Sequence, residues 1–554
     1  MKVQLKEWTR KGEPWVWLNA GAVALSTVMV LGLLWLIAVR GLSHFWPHEV
    51  IEAEYVGPDG SSQRIIGQVA DEEIITAQQL RDAGQTVPEG VEVVRRLLVK
   101  VGNRDTLGFD FRWVDETSLH DQRAPTDLFV AERDEWGNFY GRLVRVFEQD
   151  KVVAEGEGAW EALQARIKRA RALHDKIYAI EKTDIGSVNY AMERLRLKQR
   201  RLELEGRDTP EALADIAAER AALEKRFAAM QDELKVLYGE IGRDSFEAEI
   251  MTGQVVKVPL AKVVRVFRPN AMSLTEKVGF YFSKLWEFVS DDPREANTEG
   301  GIFPAIYGTV LMVLLMSVLV TPFGVVAAVY LREYAHQGAL TRTIRIAVNN
   351  LAGVPSIVYG VFGLGFFIYF IGAHIDEALY PEALPSPTFG TPGLLWASLT
   401  LAILTLPVVI VATEEGLARI PRSVREGSLA LGATKFETLW RVVLPMASPA
   451  MMTGVILAIA RAAGEVAPLM LVGVVKLAPS LPLDGNYPYL HLDQKFMHMG
   501  FHIYDVGFQS PNVEAARPLV YATALLLVLV IALLNLSAVY IRNRLRERYK
   551  ALEM

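Results

Sequence analysis

A chain of 554 residues with a formal net charge of −6 has room for two or more domains, and its slightly acidic balance gives no footing for nucleic-acid binding. It contains no cysteine, which excludes disulfides, thiolate metal sites and cysteine nucleophiles. The averages conceal an alternation of long apolar runs with highly charged ones.

The first segment carries Lys2, Lys6, Arg10 and Lys11 and leads into an apolar run over 15–39, closed by Arg40. A signal peptide has a shorter apolar core and a small-residue cleavage site. This run instead has roughly the 20 apolar residues that cross a bilayer core. Tryptophans lie near both of its ends, where interfacial rings settle. Residues 1–43 therefore read as a cytoplasmic tail and a retained first membrane helix.

Residues 44–301 are soluble in character. Short β-branched and aromatic runs over 50–76, 91–114, 125–154 and 247–267 read as strands, cut by turn signals such as Trp136-Gly137-Asn138. Between them, 158–242 is charged and helical. Trp160, Leu163, Ile167 and Ala170 recur at spacings of three and four, as do Leu223, Phe227, Met230, Leu234 and Leu237. Gly206 to Pro210 breaks the pattern, with Thr209 placed as an N-cap and Pro210 at the first helical position. The expectation is a β-rich domain with an inserted antiparallel helical hairpin. Its heptad pattern fits a solvated stalk that buries its own seam, and a partner-docking arm is the alternative.

Five more apolar runs follow, over 302–331, 347–375, 394–412, 449–475 and 518–541, making six spans in all. Arg332, Arg342 and Arg345 lie between the second and third. Arg419, Arg422, Arg425, Lys435 and Arg441 lie between the fourth and fifth, and 542–554 is a basic tail. The loop 372–393 has neither Lys nor Arg. Short basic loops stay in the cytoplasm, so both termini and the connector over 414–447 are expected to face inward. Residues 44–301 then lie outside, a periplasmic position if the membrane is the inner one that the resemblance given below implies.

Two features of this membrane region carry chemistry. In the connector, Leu429, Gly432, Phe436, Leu439 and Val443 fall at helical spacings around a glycine break. Two short helices joined near Gly432 would present an apolar surface at the inner face. An interfacial helix lying on lipid is the competing reading. In the fifth run, Arg461 and Glu465 are four residues apart and placed to pair on one helix face. Intramembrane charges are costly and face a bundle interior or a water-filled path. The pair is either a structural ion pair or an arginine lining an anion route, where a guanidinium can fork two hydrogen bonds to phosphate-like oxygens.

Asn349, Asn350, Ser356 and Tyr359 offer neutral hydrogen bonds to an anion, or equally glue between helices. His491, His498 and His502 with Asp493 lack the tight spacing of a metal site. No G-x-x-x-x-G-K-[ST] loop exists, so the chain is not itself a nucleotide hydrolase of that type.

The order Glu426-Gly427-Ser428, Gly432, then Val442-Val443-Leu444-Pro445 resembles the EAA coupling loop of ABC-importer permeases. Gly301-Ile302-Phe303-Pro304, Asn350-Leu351-Ala352-Gly353-Val354-Pro355-Ser356 and Arg461-Ala462-Ala463-Gly464-Glu465 extend the resemblance to the phosphate-specific permeases of the PstA type, over 302–541. The pattern departs at Gly427 and Ser428, where the family usually has two alanines. It departs again at Val466, which replaces a threonine, and at 409–411, where some relatives carry an arginine.

The resemblance implies a mainly α-helical membrane protein with a six-helix type I importer core, and no catalysis by this chain. Glu426, Gly427, Ser428, Gly432, Leu444 and Pro445 would dock a cytoplasmic ATPase. Arg461, Glu465, Asn350, Ser356 and Tyr359 would line the substrate path. The implied partners are a related permease, PstC, two copies of an ATPase, PstB, that uses ATP and Mg, a periplasmic phosphate-binding protein, PstS, and membrane lipids. Transport of another oxyanion or an osmolyte, or a membrane-anchored scaffold or sensor built on the same fold, are the alternatives.

Overall fold

A computed structural model describes residues 12–57, 60–82, 92–510 and 513–549; Lys2, Lys6, Arg10, Lys11 and Lys550 lie outside the described residues. Among those described, six helices are long and apolar enough to cross a membrane: Trp15–Ser43, Phe303–Tyr334, Ser356–Leu379, Leu394–Arg419, Lys435–Gly464 and Ala516–Arg544. Each overlaps one of the apolar runs. All six differ from the runs in their bounds, three of them by seven residues or more at one end or both.

The run over 347–375 is two elements rather than one. Ala339–Leu351 is a separate amphipathic helix, and the span begins only at Ser356. Pro355 has no N–H to give and disfavours helical backbone at Val354, so the chain turns there. The fourth helix continues past 412 to Arg419, because lipid limits apolarity and not helix formation. It stops where Ile420, extended at ψ 123°, precedes Pro421. Glu414 therefore belongs to this span and not to the connector.

The run over 449–475 divides at its other end. Its helix starts at Lys435, passes through a widened turn at Leu439–Val443 and ends at Gly464. Pro468 cannot supply the N–H that would bond the Gly464 carbonyl. Glu465 accordingly leaves the helix (φ −81°, ψ 132°), and a short helix, Leu469–Val472, follows.

The fourth span is the hub of the bundle, packed against the second and the fifth. Small residues let the backbones close. A Cβ on Gly324 would lie 2.6 Å from Val409, and one on Gly454 2.7 Å from Ala412. Hydroxyls inside the spans turn back on their own helices, as Thr321 does to the Ser317 carbonyl (2.6 Å) and Thr405 to that of Leu401 (2.8 Å). Such bonds satisfy the hydroxyl donors without a partner from lipid, whereas Thr400 and Thr413 of the fourth span are buried without one among the described residues.

Two antiparallel sheets build the soluble domain. The first runs in the order Phe111–Asp115, Val93–Lys100, Ser62–Thr76, Val50–Val56, Leu119–Arg123. The second runs Val255–Pro259, Asp244–Glu249, Phe139–Glu148, Leu128–Arg133, Val263–Phe267, with Lys151–Glu155 paired to Phe139–Glu148. The helical hairpin is inserted into this second sheet. Its outgoing arm is Ala159–Tyr178 and Gly186–Glu205, joined by a widened turn, and Pro210–Ile241 returns.

Thr209 caps the returning arm by accepting the Ala212 N–H at 3.3 Å. At the hairpin's base, Leu163 and Ile167 share one core with Leu234, Leu237 and the sheet residues Phe129, Phe139 and Phe246. Farther out, the outgoing arm lies against the loops between the third and fourth spans and between the fifth and sixth. Arg201 pairs with Glu382 at 2.8 Å, the Arg194 guanidinium sits 5.0 Å over the Tyr487 ring, and Tyr190 meets His491 edge to face at 5.4 Å.

Candidate coupling surface and intramembrane arginine

The connector forms two helices, Arg422–Ala430 and the turn Lys435–Thr438 that runs on into the fifth span. Gly432 joins them at φ +91°, a left-handed backbone that a side chain would strain. Thr434 then starts the second helix with a capping box. Its hydroxyl accepts the Glu437 N–H at 3.2 Å, and the Glu437 carboxylate accepts the Thr434 N–H at 2.9 Å. Ser428 and Thr438 join the two helices hydroxyl to hydroxyl at 2.9 Å.

The apolar residues of the connector divide by face. Leu439 and Val443 turn inward and pack with Leu417, Ile420 and Ala447 at the inner end of the fourth span. Leu429 and Phe436 turn outward. Beside them stand Leu431, 90% exposed, and Trp440, whose ring stacks on Phe436 at 6.3 Å and 8°. Spacing alone grouped Leu429, Gly432, Phe436, Leu439 and Val443 on one surface. The glycine hinge splits that set and adds Leu431, which helical periodicity across an unbroken helix does not select, and Trp440, which falls four residues after Phe436. Glu426 and Gly427 are exposed on the first connector helix, whereas Leu444 and Pro445 lie inside the continuous helix behind it.

This surface has a charged backing that the sequence did not single out. Glu333, at the inner end of the second span, accepts Arg425 at 2.8 Å, and its backbone carbonyl accepts the Lys435 ammonium at 2.6 Å. Arg345 bonds Glu414 at 3.1 Å and the Leu331 carbonyl at 3.0 Å. Both connector helices are thereby tied to the second span, and the amphipathic helix 339–351 is tied to the second and fourth. Glu333 lies 92 residues from Arg425 with no shared motif, so only the fold discloses the pair.

At the other end of the fifth span, Arg461 Nε lies 3.8 Å from Glu465 Oε1. This is an ion pair at long range rather than a hydrogen bond. The two residues do not share a helix face, because Glu465 is the first extended residue beyond the helix. Tyr359 stands close by, within electrostatic reach of Arg461. Its hydroxyl donates to the Leu351 carbonyl at 2.6 Å and closes the break before the third span. Gly360 lies flat against Pro468, where a Cβ would approach to 2.7 Å.

The structure thus gathers Arg461, Glu465 and Tyr359 around the end of one helix. Ser356 sits at the start of the third span and Asn350 in the last turn of the preceding helix. Neither side chain, among the described residues, bonds to the arginine or the glutamate. The outer histidines serve local structure. His491 bonds Asp484 at 2.9 Å, and His498 Nδ1 accepts the Gly500 N–H at 3.1 Å. Among the described residues no three His, Asp or Glu side chains come together as a metal site.

Residues 320–547 match the family of binding-protein-dependent transport system inner membrane components. The chain is 36% identical over 247 residues to the phosphate transport system permease protein PstA 1 of Mycobacterium tuberculosis, covering 44% of this chain and 71% of the relative. It is 29% identical over 239 residues to the probable ABC transporter permease protein YqgH of Bacillus subtilis, covering 43% and 72%. A third relative is the phosphate transport system permease protein PstC of Xylella fastidiosa, at 32% identity over 219 residues, 38% of this chain and 65% of that one. With these relatives and its six spans, the chain is a multi-pass inner-membrane protein and belongs to the family of the ABC-importer permeases of phosphate transport systems.

Proposed function

We propose that the chain is a PstA-type subunit that forms half of the translocation pathway of an ATP-driven phosphate importer. The observation that carries this reading is the 36% identity to a phosphate permease over 247 residues. The other half of the pathway is a PstC-type permease. Two copies of a PstB-type ATPase bind and hydrolyse ATP with Mg, a PstS-type binding protein delivers phosphate, and this chain binds no cofactor of its own. Both termini lie in the cytoplasm and 44–301 in the periplasm, in keeping with the basic inner loops.

The exposed ridge Leu429, Leu431, Phe436 and Trp440 supplies apolar area to an ATPase groove, with Glu426 and Gly427 beside it. Nucleotide-driven closure of the ATPases moves the ridge. The fifth span moves with it because the second connector helix and that span are one helix. Arg461 offers a permanent charge and a forked donor to a passing phosphate. Glu465, 3.8 Å away, competes for the guanidinium and keeps the anion's stay short. Tyr359, Ser356 and Asn350 add neutral hydrogen bonds along the path.

The test is uptake of labelled phosphate by the four-component complex in proteoliposomes loaded with ATP. Saturable phosphate uptake that unlabelled sulfate, molybdate or glycine betaine leaves unaffected supports the reading. Uptake of one of those in place of phosphate overturns it.

A further inference from the structure

The helix Leu274–Ser290 joins the soluble domain to the second span and has two faces of different character. One face packs inward, where Tyr281, Leu285 and Phe288 join a core with Phe45, Ile302 and Leu519 at the outer ends of the first, second and sixth spans. The opposite face carries Leu274, Val278, Phe282 and Trp286, four residues apart each time, so they form one stripe along the helix. Phe282 is 62% exposed and Trp286 72%. Gly279 and Ser283, also exposed, complete a face without a charge from 278 to 286.

Such a stripe, with two large aromatics and no charged residue, is not a surface that water alone covers at low cost. Its position says what does. The helix is fastened to the start of the second span, where the Ile302 N–H donates to the Phe288 carbonyl (2.9 Å) and the Phe303 N–H to that of Asp291 (3.2 Å). It is fastened to the outer end of the first span as well, with Phe288 5.1 Å from Phe45 and Tyr281 6.1 Å from Trp46, centroid to centroid. Apart from its last turns, which meet the sixth span at Gly41, the first span is exposed and apolar in this chain, a surface of the kind that lipid covers. The helix thus sits at the level where the first and second spans end, with the stripe on the face turned away from the core they share. Tryptophan and phenylalanine on an amphipathic helix are the residues that settle at the bilayer–water boundary.

We propose that Leu274–Ser290 is an interfacial helix lying on the outer leaflet, with Val278, Phe282 and Trp286 sunk among the acyl chains. It anchors the soluble domain to the bilayer independently of phosphate transport. A second protein over the same stripe is the competing occupant.

Because the chain has no cysteine, single reporters can be placed at will. Phe282→Cys and Trp286→Cys carry a nitroxide label in the full chain, reconstituted in phosphatidylethanolamine–phosphatidylglycerol vesicles. Glu224→Cys on the hairpin is the water-exposed control. The expected result is an oxygen-to-nickel-chelate accessibility ratio severalfold higher at 282 and 286 than at 224. A ratio equal to the control places the stripe in water and overturns the proposal. Low accessibility to both reagents in the assembled complex places it against protein and overturns it too. A wild-type protease-resistance pattern in each labelled variant certifies the fold, and a variant that fails it is replaced by Val278→Cys.

Discussion

Arg425 and Glu333 meet at 2.8 Å, and the same guanidinium nitrogen lies 2.8 Å from the Leu417 carbonyl while its neighbour reaches that of Ile420 at 2.7 Å. One side chain thus joins the first connector helix to the inner ends of both the second and the fourth spans. Both partners are largely out of water, the side chains 20% and 12% exposed. Removing one charge from such a pair costs about 3 kcal/mol, because the other is left without compensation. Glu333→Gln and Arg425→Met are therefore expected to lower the thermal midpoint of the purified chain and to leave ATP hydrolysis running without phosphate uptake. Uptake and hydrolysis that stay in proportion in both variants would show the clamp to be dispensable.

The exposed ridge predicts a different defect. Burying one large apolar side chain in a partner's groove contributes about 1.5–3 kcal/mol, which corresponds to roughly 10- to 100-fold in affinity. Leu431→Asp or Trp440→Asp should reduce copurification of the ATPase by that order, while the permease still inserts and resists heat as before. Full recovery of the ATPase with Trp440→Asp would remove the ridge from the interface.

For the intramembrane pair, Arg461→Gln is expected to abolish uptake in an assembled complex. Arg461→Lys keeps the charge but loses the fork and should retain only a small part of it. Glu465→Gln frees the guanidinium and should slow turnover more than it weakens phosphate affinity. Wild-type uptake by Arg461→Gln would reduce the residue to packing.

The outer loop supplies a pH prediction. Burial opposes ionisation of Asp484, but hydrogen bonds from His491 and from the Asn486 N–H outweigh it and hold the carboxyl below its ordinary range. A depressed carboxyl stabilises the fold above its unfolded pKa of about 3.9 and loses that contribution as pH falls through the folded value. Hydrogen exchange at the Asn486 amide, slow at neutral pH, should therefore accelerate beyond its intrinsic pH trend only below about pH 4. Asp484→Asn should abolish that acid step.

The hairpin's hold on the bundle is testable through Arg201. Glu382 is buried, and Arg201→Ala would leave its carboxylate without a cation at a cost of about 1–3 kcal/mol. The expected outcome is faster protease cleavage between the two arms near Gly206, with the sheets intact. Unchanged cleavage would mean that the ring contacts at Tyr190 and Arg194 hold the arm unaided.

Hydrophobic run length was enough to place six spans, because crossing lipid demands about 20 apolar residues whatever else the chain does. The ends of the spans were harder to read. Residues 413–419 and 435–443 are helical without being apolar, and a run-length criterion does not register them. Pro355 and Pro468 were visible in the sequence, yet they lie inside apolar runs and were read through rather than as stops. Thr209 with Pro210 was legible because a cap is a local device. Glu333 with Arg425 was not, because long-range ion pairs carry no periodicity. Among the proposed path residues, the spacing of four between Arg461 and Glu465 suggested a helical pair. The intervening glycine and the following proline turned it into a contact across a helix end.

The fifth span and the second connector helix are one helix from Lys435 to Gly464, 30 residues long. At about 1.5 Å of rise per residue, Phe436 and Arg461 are the two ends of a strut some 37 Å long. Its joints are the widened turn at Leu439–Val443 and the prolines Pro445 and Pro449, which lack an N–H for the Arg441 and Pro445 carbonyls. A strut with so few joints leaves the two ends little freedom to move separately. In the proposed importer, with the pivot at Gly454 about 27 Å from Phe436 and about 10 Å from Arg461, tilting the Phe436 end would swing the arginine in the opposite sense by roughly two-fifths as far. The anion's exposure to one side or the other is then a matter of leverage. Under that reading the grip of the fourth span at Gly454 is the fulcrum that would set how far each ATPase stroke carries.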